Sequence, residues 1–354
     1  MSSSFRIAVI AGDGIGREVI PAGLAALEAA ARGTDLTLSF TEFPWGCDFY
    51  AKHGRMLDED GFDKLATFDA IYLGALGAPG VPDGISAGLI LAIRQRFDQY
   101  VNLRPMRLLP GLTSPLANRG AADIDMICVR ENSEGEYSGV GGRIHRGTPH
   151  EVAQQVGVFT RHGIERIVRY GFETASKRPR KMLASATKSN ALTHSMVLWD
   201  EVAEGVQKDY PGVEYRKYHV DALAARMITH PQTLDVMVTS NLFGDILTDI
   251  GSAISGSLGI APGANINPER TFPSMFEPIH GSAPDIMGKG IANPIGAIWA
   301  GALMLDHLGR RDLHDKVVGA IERVVATGSV RTPDLGGTSN TKDVADAITK
   351  EIAA

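Results

Sequence analysis

The sequence has few cysteines, no long apolar run and no excess of positive charge. Only two of the 354 residues are cysteines, Cys47 and Cys128. They lie in apolar stretches without the spacing of metal ligands, so we expect buried thiols in a reducing compartment. No apolar stretch reaches the roughly 18 residues that a membrane span requires. The net charge of −6, with 21% charged residues, gives no support to a nucleic-acid surface.

The first residues, Met1–Arg6, lead directly into an apolar strand-like run, which is not typical of a signal peptide. We therefore predict a cytoplasmic globular protein without internal repeats or low-complexity tracts. A chain of 354 residues can bury a large core and ordinarily divides into two domains.

Strand-like and helix-like segments alternate along the chain, which predicts an α/β fold. The predicted strands are Arg6–Ala11, Ala70–Gly74, Met126–Val129, Lys181–Ala184 and Asp235–Thr239, and the predicted helices are about 18–32, 87–100, 161–177 and 192–207. A polar, Gly-rich stretch from about 135 to 158 cannot bury much by itself. We interpret it as a projecting arm at a subunit interface.

The turn Gly12–Gly16 follows the first strand but does not complete a dinucleotide-binding motif. That motif requires Gly-x-Gly-x-x-Gly, and its last position here is Arg17. The glycines still permit close approach of the backbone to a ligand.

Two acids, Asp245 and Asp249, stand four residues apart in a segment with helical spacing, directly after an apolar strand. They share one helix face, where like charges repel unless a cation lies between them. An arbitrary pair of this kind is more often a solvated surface. Because open α/β sheets bind ligands at strand ends, this position favours a Mg²⁺ or Mn²⁺ site.

Other candidates also lie at element boundaries. Arginine forks bind carboxylates, so Arg94, Arg104 and Arg130 suggest a substrate with more than one carboxylate, although any one of them is more often a surface ion pair.

Lys188 follows a strand, and neighbouring cations would lower its pKa and make it a candidate general base rather than a solvated lysine. Asp221 suits a third metal ligand, and Tyr137 a proton donor only if its pKa is lowered.

These residue types fit oxidation of a 2-hydroxy acid followed by loss of a β-carboxylate. A metal ion could chelate the hydroxy-carboxylate while arginines hold the second carboxylate. A base would remove the hydroxyl proton as hydride leaves to a nicotinamide, and a proton donor would finish the product.

Six motifs across nearly the whole length resemble the isocitrate/isopropylmalate dehydrogenase family of β-decarboxylating dehydrogenases. They are Ala11–Gly16, Asn102–Pro105, Val129–Asn132, Ala186–Asn190, Asn241–Asp249 and Glu277–Asp285. The resemblance implies a two-domain isopropylmalate dehydrogenase-like α/β fold with its active-site cleft between the domains and a dimerisation arm. We predict one domain from 1–101 plus 255–354 on the cofactor side, and the other from 102–254.

The resemblance also implies residue roles. The three arginines bind substrate carboxylates, Lys188 is the base and Tyr137 the final proton donor. Asp245 and Asp249 bind Mg²⁺ or Mn²⁺. Asp221, also placed with the catalytic residues, and Lys188 come from the partner subunit of a homodimer whose active sites are shared. A requirement for K⁺ is left open.

The cofactor implied by the resemblance is NAD. In this family the binding residues correspond here to His280, Gly281, Ser282, Ala283, Asp285, Ile286 and Asn293, with His280 near the adenine. Asp285 would accept hydrogen bonds from a ribose hydroxyl and repel the 2′-phosphate of NADP.

The substrate is a small dicarboxylate. Segments such as Phe97–Arg107 and Arg130–Ser138 look most similar to the tartrate dehydrogenase/decarboxylase and D-malate dehydrogenase branch. The helix before Arg94 departs from it, because that branch tends to carry a Trp and larger residues there and the segment here is one residue shorter. Its apolar residues Ile90 and Leu91 resemble the leucines that isopropylmalate enzymes set against an isopropyl group. 3-Isopropylmalate dehydrogenase is therefore the alternative, and the absence of Ser or Thr at 90 and 91 disfavours isocitrate. A non-catalytic regulatory subunit is the alternative of another class.

Overall fold

The computed structural model describes residues 3–354, and the backbone alone of residue 83. The chain forms two compact units. The first comprises the chain up to Gln99, Arg107–Ala122 and Ser252–Ala354, and the second comprises Tyr100–Met106 and Asp123–Gly251. The predicted α/β fold is confirmed. The predicted domain division stays a prediction, and the structure groups residues 107–122 with the first unit.

The first unit contains five strands in the order β2-β1-β3-β12-β11. The strands β1, β2, β3 and β12 are parallel, and β11 pairs antiparallel with β12. The elements are β1 (Ser3–Gly12), α1 (Gly16–Ala31), β2 (Leu36–Glu42), α2 (Cys47–His53), α3 (Gly61–Leu65), β3 (Ala70–Ala75), α4 (Asp83–Arg96), β11 (Pro262–Ile266), β12 (Ser274–Pro278), α9 (Ile295–His307), α10 (Arg311–Thr327) and α11 (Thr341–Ala353).

Burial explains why this unit folds around its central elements. All six residues of β3 are buried, and eleven of the thirteen residues of α9 are buried. An element that is apolar on all sides is stable only when others cover it, so β3 and α9 form the core on which the remaining helices pack.

The second unit contains the strands in the order β4-β5-β10-β8-β9. The last four of these are parallel to one another. The elements are β4 (Val101–Arg107), β5 (Asp125–Glu131), α5 (Arg161–Ser176), β8 (Met182–Thr187), α6 (Ser195–Gln207), β9 (Glu214–His219), α7 (Val220–Thr229), β10 (Val236–Thr239) and α8 (Asn241–Ile254). The strands β8 and β10 are buried along their whole length, which is typical of parallel strands covered on both faces.

A separate antiparallel hairpin lies in the stretch predicted as an arm. It consists of β6 (Gly141–Ile144) and β7 (Val152–Gln155), and all eight residues are exposed. An isolated bridge between Gly135 and Val158 closes its base. Four apolar side chains on or next to the hairpin are 45–59% exposed: Val140, Ile144, Val152 and Val156. That this hairpin contacts a second copy of the chain stays a prediction.

One helix is displaced from its predicted range. Helix α4 covers Asp83–Arg96 rather than 87–100. It begins directly after Pro82, and Asp98, two residues beyond its last residue, takes a positive φ of 42° that a helix cannot contain. Both cysteines are buried, as predicted. Within residues 3–354 no helix combines the length and apolar character that a membrane crossing demands.

Candidate active site

The carboxyl ends of four parallel strands bring most of the predicted residues of the second unit to one edge of its sheet. Arg130 lies at the end of β5, Lys188 directly follows β8, and Asp221 follows β9 in the first turn of α7. The fourth strand, β10, leads into α8, which carries Asp245. Parallel strands end at a common edge, where α/β proteins bind their ligands, so the local order of strand and helix positions this set.

Asp245 is the centre of a charged cluster. Its Oδ1 accepts a hydrogen bond from Arg130 Nη1, and its Oδ2 accepts one from the Tyr137 hydroxyl at 2.8 Å. Arg104 Nη1 lies 3.6 Å from the same carboxylate and donates to Thr248 Oγ1 at 2.6 Å. Arg130 is almost completely buried, with a side chain only 2% exposed. The structure thus brings two of the three predicted arginines and the predicted proton donor to one predicted metal ligand.

Asn241 completes this cluster and was missed in the sequence. Its Oδ1 accepts hydrogen bonds from Arg130 Nε at 3.1 Å and Nη2 at 2.7 Å, and its Nδ2 donates to the Glu134 carbonyl at 3.1 Å. The signal was its position one helical turn before Asp245, which places both side chains on the same face of α8.

Asp249 supplies the second carboxylate of the predicted metal site. Partial burial raises its pKa; Arg104 acts in the opposite direction, and Asp245 raises the pKa further. Among residues 3–354 its carboxylate has no hydrogen bond or ion pair. Two acids with one uncommitted carboxylate fit Mg²⁺ or Mn²⁺, which take one or two carboxylates and complete their shell with water or substrate oxygens.

The described residues, 3–354, bring no third acid to this pair. Within residues 3–354 no group of three His, Cys, Asp or Glu side chains is arranged to hold a metal ion. The predicted third ligand, Asp221, instead accepts a hydrogen bond from Lys188 Nζ at 2.8 Å, and this contact lowers the pKa of Asp221. The partner of Lys188 is therefore an acid, whereas the sequence had suggested cationic neighbours. The role of Lys188 as a base stays a prediction.

The pKa of Tyr137 moves in the direction opposite to the one that the sequence argument required. Burial raises it, the hydrogen bond to Asp245 raises it further, and Arg130 acts against both. The phenol is therefore protonated at neutral pH, so it carries a proton that it can donate, but it holds that proton more tightly than a free tyrosine does.

The remaining predicted arginine, Arg94, belongs to the first unit. It is 7% exposed and donates from Nη2 to Glu277 Oε1 at 3.0 Å. Its buried Nε finds no acceptor within residues 3–354. On the same helix Ile90 is partly buried against the apolar core, and Leu91 is also partly buried. The substrate-binding roles of these three residues stay predictions.

The predicted cofactor loop, His280–Ile286, and Asn293 also lie in the first unit. His280 Nε2 is buried without a hydrogen-bond partner in the described part of the chain, and burial lowers the pKa of His280, so its ring is neutral. Asp285 is exposed and has no ion pair among residues 3–354. The neutral His280 ring, with its unused nitrogen, fits an adenine base, and the Asp285 carboxylate fits a ribose hydroxyl. These are the contacts predicted for the two residues.

The other residues of the loop have structural contacts. Ala283 and Ile286 pack against the buried side chains of Ile15 and Val19 on or next to α1. Asn293 Nδ2 donates to Asp334 Oδ2 at 3.0 Å, and its Oδ1 accepts from the Ile295 amide at 3.0 Å. A Cβ added at Gly281 would meet no atom of the described residues within 4 Å, so this glycine leaves open space.

The glycine-rich turn lies against the cofactor loop. A Cβ added at Gly14 would lie 2.0 Å from the Ser282 carbonyl oxygen, and that oxygen accepts a hydrogen bond from the Ile15 amide at 3.0 Å. In dinucleotide-binding folds the amides at this position bind phosphate. Here the carbonyl of Ser282 occupies the Ile15 amide.

The chain is similar to known proteins over almost its whole length. A family model described as isocitrate/isopropylmalate dehydrogenase matches residues 6–348. D-malate dehydrogenase [decarboxylating] of Escherichia coli (strain K12) is 55% identical, with 99% of each chain covered. Tartrate dehydrogenase/decarboxylase of Pseudomonas putida is 54% identical, covering 99% of this chain and 98% of that protein. The crystal structure of isocitrate dehydrogenase from Methylococcus capsulatus superposes with a TM-score of 0.89 at 35% identity, covering 99% and 100% of the two chains. The predicted resemblance is confirmed.

Proposed function

Because the chain belongs to the isocitrate/isopropylmalate dehydrogenase family, we propose that it oxidises a D-malate-type 2-hydroxy dicarboxylic acid with NAD and a divalent metal ion. β-Decarboxylation accompanies the oxidation, as in D-malate to pyruvate and CO₂; tartrate is the other candidate. The observation that carries the proposal is the cluster of Arg104, Arg130 and Tyr137 around Asp245, beside the uncommitted carboxylate of Asp249. The names of the similar proteins support the substrate class.

In the proposed reaction each of these residues of the second unit has a separate role. Arg130, held by Asn241 and Asp245, binds a substrate carboxylate with donors fixed in direction. Lys188 removes the hydroxyl proton as hydride leaves for the nicotinamide, and Tyr137 protonates the carbon that loses CO₂. A divalent ion at Asp245 and Asp249 would polarise the substrate oxygens and stabilise the negative charge that decarboxylation creates.

The preference for NAD is proposed from Asp285. Its exposed carboxylate can accept hydrogen bonds from a ribose 2′-hydroxyl and would repel a 2′-phosphate. His280 would contact the adenine through its unused ring nitrogen.

We also propose a homodimer with shared active sites. The exposed apolar side chains of the hairpin β6–β7 favour contact with a second copy. Asp221 and Lys188 pair with each other in this chain, away from the two acids of α8, which fits residues that complete the site of a partner subunit. Light scattering of the purified protein tests the dimer. Restored activity on mixing inactive Lys188 and Asp245 variants tests the sharing.

The function is tested by NADH formation with Mn²⁺, with and without K⁺, on D-malate, L-tartrate, meso-tartrate, 3-isopropylmalate and isocitrate. The highest kcat/KM on D-malate or a tartrate supports the proposal. The highest value on 3-isopropylmalate would show that Ile90 and Leu91 decide the substrate, and NADP in place of NAD separately tests the role of Asp285. No turnover on any substrate would refute the proposal and favour the regulatory subunit.

A further inference from the structure

Glu277 shares a buried ion pair with Arg94, and none of the roles assigned above uses this acid. The two side chains are 10% and 9% exposed, and Arg94 Nη2 lies 3.0 Å from Glu277 Oε1. The same oxygen accepts a second hydrogen bond from Asn265 Nδ2 at 2.8 Å. Helix α4 and the β11–β12 hairpin thus supply the three members of one network.

Burying the charged groups of this network costs free energy, so we expect the network to do more than join these elements. Removing two charges from water costs several kcal/mol for each ion, and an ion pair recovers this only with good geometry and further hydrogen bonds. Asn265 supplies one such bond, but the buried Nε of Arg94 has no acceptor in the described part of the chain. A guanidinium has five N–H donors. Here Nη2 donates to Glu277, and the buried Nε is left for another acceptor.

We infer that Glu277, supported by Asn265, is a positioning residue that holds the Arg94 guanidinium so that its remaining donors receive a substrate carboxylate. This inference rests on the proposed function, in which Arg94 binds the dicarboxylate. The position of Glu277 on β12 is fixed by antiparallel pairing, because it lies opposite Gly263 on β11. A strand fixes its side chains more firmly than a loop does, which suits a residue whose task is orientation.

A double-mutant cycle with Arg94→Ala and Glu277→Ala tests the inference. Kd for D-malate in the presence of Mn²⁺ is measured by calorimetry, and KM for D-malate and for NAD by NADH formation. We expect each single variant to raise Kd and KM for D-malate about tenfold to hundredfold, since each truncates one partner of a buried charge pair. In the Arg94→Ala background, Glu277→Ala should add less than about twofold, because it acts only through Arg94.

Three further proteins separate positioning from folding. Glu277→Gln keeps the side-chain shape and an acceptor oxygen, so it should recover part of the affinity for D-malate even if Glu277→Ala is poorly folded. Asn265→Ala should weaken D-malate binding less than Glu277→Ala does. Glu322→Ala, which breaks the Arg107–Glu322 ion pair in the same unit, should leave both KM values unchanged.

The outcomes are distinct. Additive effects in the cycle, or a rise in KM for NAD as large as that for D-malate, would overturn the positioning role while the wild-type turnover still supports the function. An Arg94→Ala variant with unchanged Kd would overturn it as well. Wild-type protein that neither binds nor oxidises D-malate or a tartrate would overturn the proposed function, and the inference with it.

Discussion

Substitution of Asp245 by Asn should separate the proposed metal-binding role of this residue from its structural role. The change keeps the shape of the side chain and removes its charge. Two unit charges 4 Å apart attract by about 4 kcal/mol at an effective dielectric constant near 20. The Asp245 side chain is 39% exposed, so solvent screening reduces the expected loss of stability to about 1–2 kcal/mol. Arg130 keeps its two hydrogen bonds to Asn241, which limits the loss further.

The effect on metal binding should be larger than the effect on folding. Losing one of two carboxylates is expected to weaken Mn²⁺ binding about tenfold to hundredfold, or about 1.4–2.8 kcal/mol. Free Mn²⁺ is measured by electron paramagnetic resonance during titration, and stability by urea unfolding without metal.

Asp209→Asn is the matched control for the Asp245 substitution. It removes an exposed acid that pairs with Arg169 at 2.8 Å in the same unit. An Asp245→Asn protein that binds Mn²⁺ within twofold of wild type would refute the assignment of this pair as the metal site.

Three further outcomes are expected. Lys188→Met should lower turnover on D-malate by roughly 10²–10⁴ with Mn²⁺ affinity unchanged, whereas Lys217→Met should be near wild type. Asp285→Lys with Ile286→Tyr should shift the ratio of kcat/KM values from NAD toward NADP. Burial lowers the pKa of His307 to about 4, with Arg270 adding to the shift. Between pH 6.5 and 4 the unfolded chain therefore binds a proton at His307 that the folded chain does not bind. Acidification over this range should lower the free energy of unfolding by up to about 3 kcal/mol, and His307→Asn should remove this dependence.

Each of these expectations has a contradicting result. A Lys188→Met enzyme near the wild-type rate would exclude Lys188 as the base. Unchanged NAD preference in the Asp285 and Ile286 double variant would place cofactor selectivity elsewhere. Equal acid sensitivity of the wild-type and His307→Asn proteins in urea unfolding at pH 7 and pH 5 would show that His307 is not the group responsible.

Local sequence patterns predicted the parts of the site that depend on strand ends. Apolar runs marked β8 and β10, and the polar residues just after them, Lys188 and Asp245, were therefore expected at the edge of a sheet. The same reasoning did not identify Asn241, although it lies in a segment already singled out. A hydrogen bond from Arg130 to Asn241 joins positions 111 residues apart, and no local pattern encodes it.

The errors have the same origin. The end of α4 was predicted too late because the spacing of apolar residues does not reveal the positive φ of Asp98. The pKa of Tyr137 is raised by burial and further by Asp245, which lies 108 residues further along the chain. Partners that distant in sequence become visible only when the chain is folded.

The contact between Ser282 and the glycine turn is a backbone hydrogen bond, whereas the proposed cofactor recognition uses side chains of the same loop. This part of the attachment uses a backbone carbonyl and the Ile15 amide, so it does not depend on which side chains the loop carries. The proposed recognition uses side chains at Asp285 and Ile286. The backbone hydrogen bond would therefore survive an exchange of one nicotinamide cofactor for the other, whereas a change at Ile286 also alters its packing next to α1.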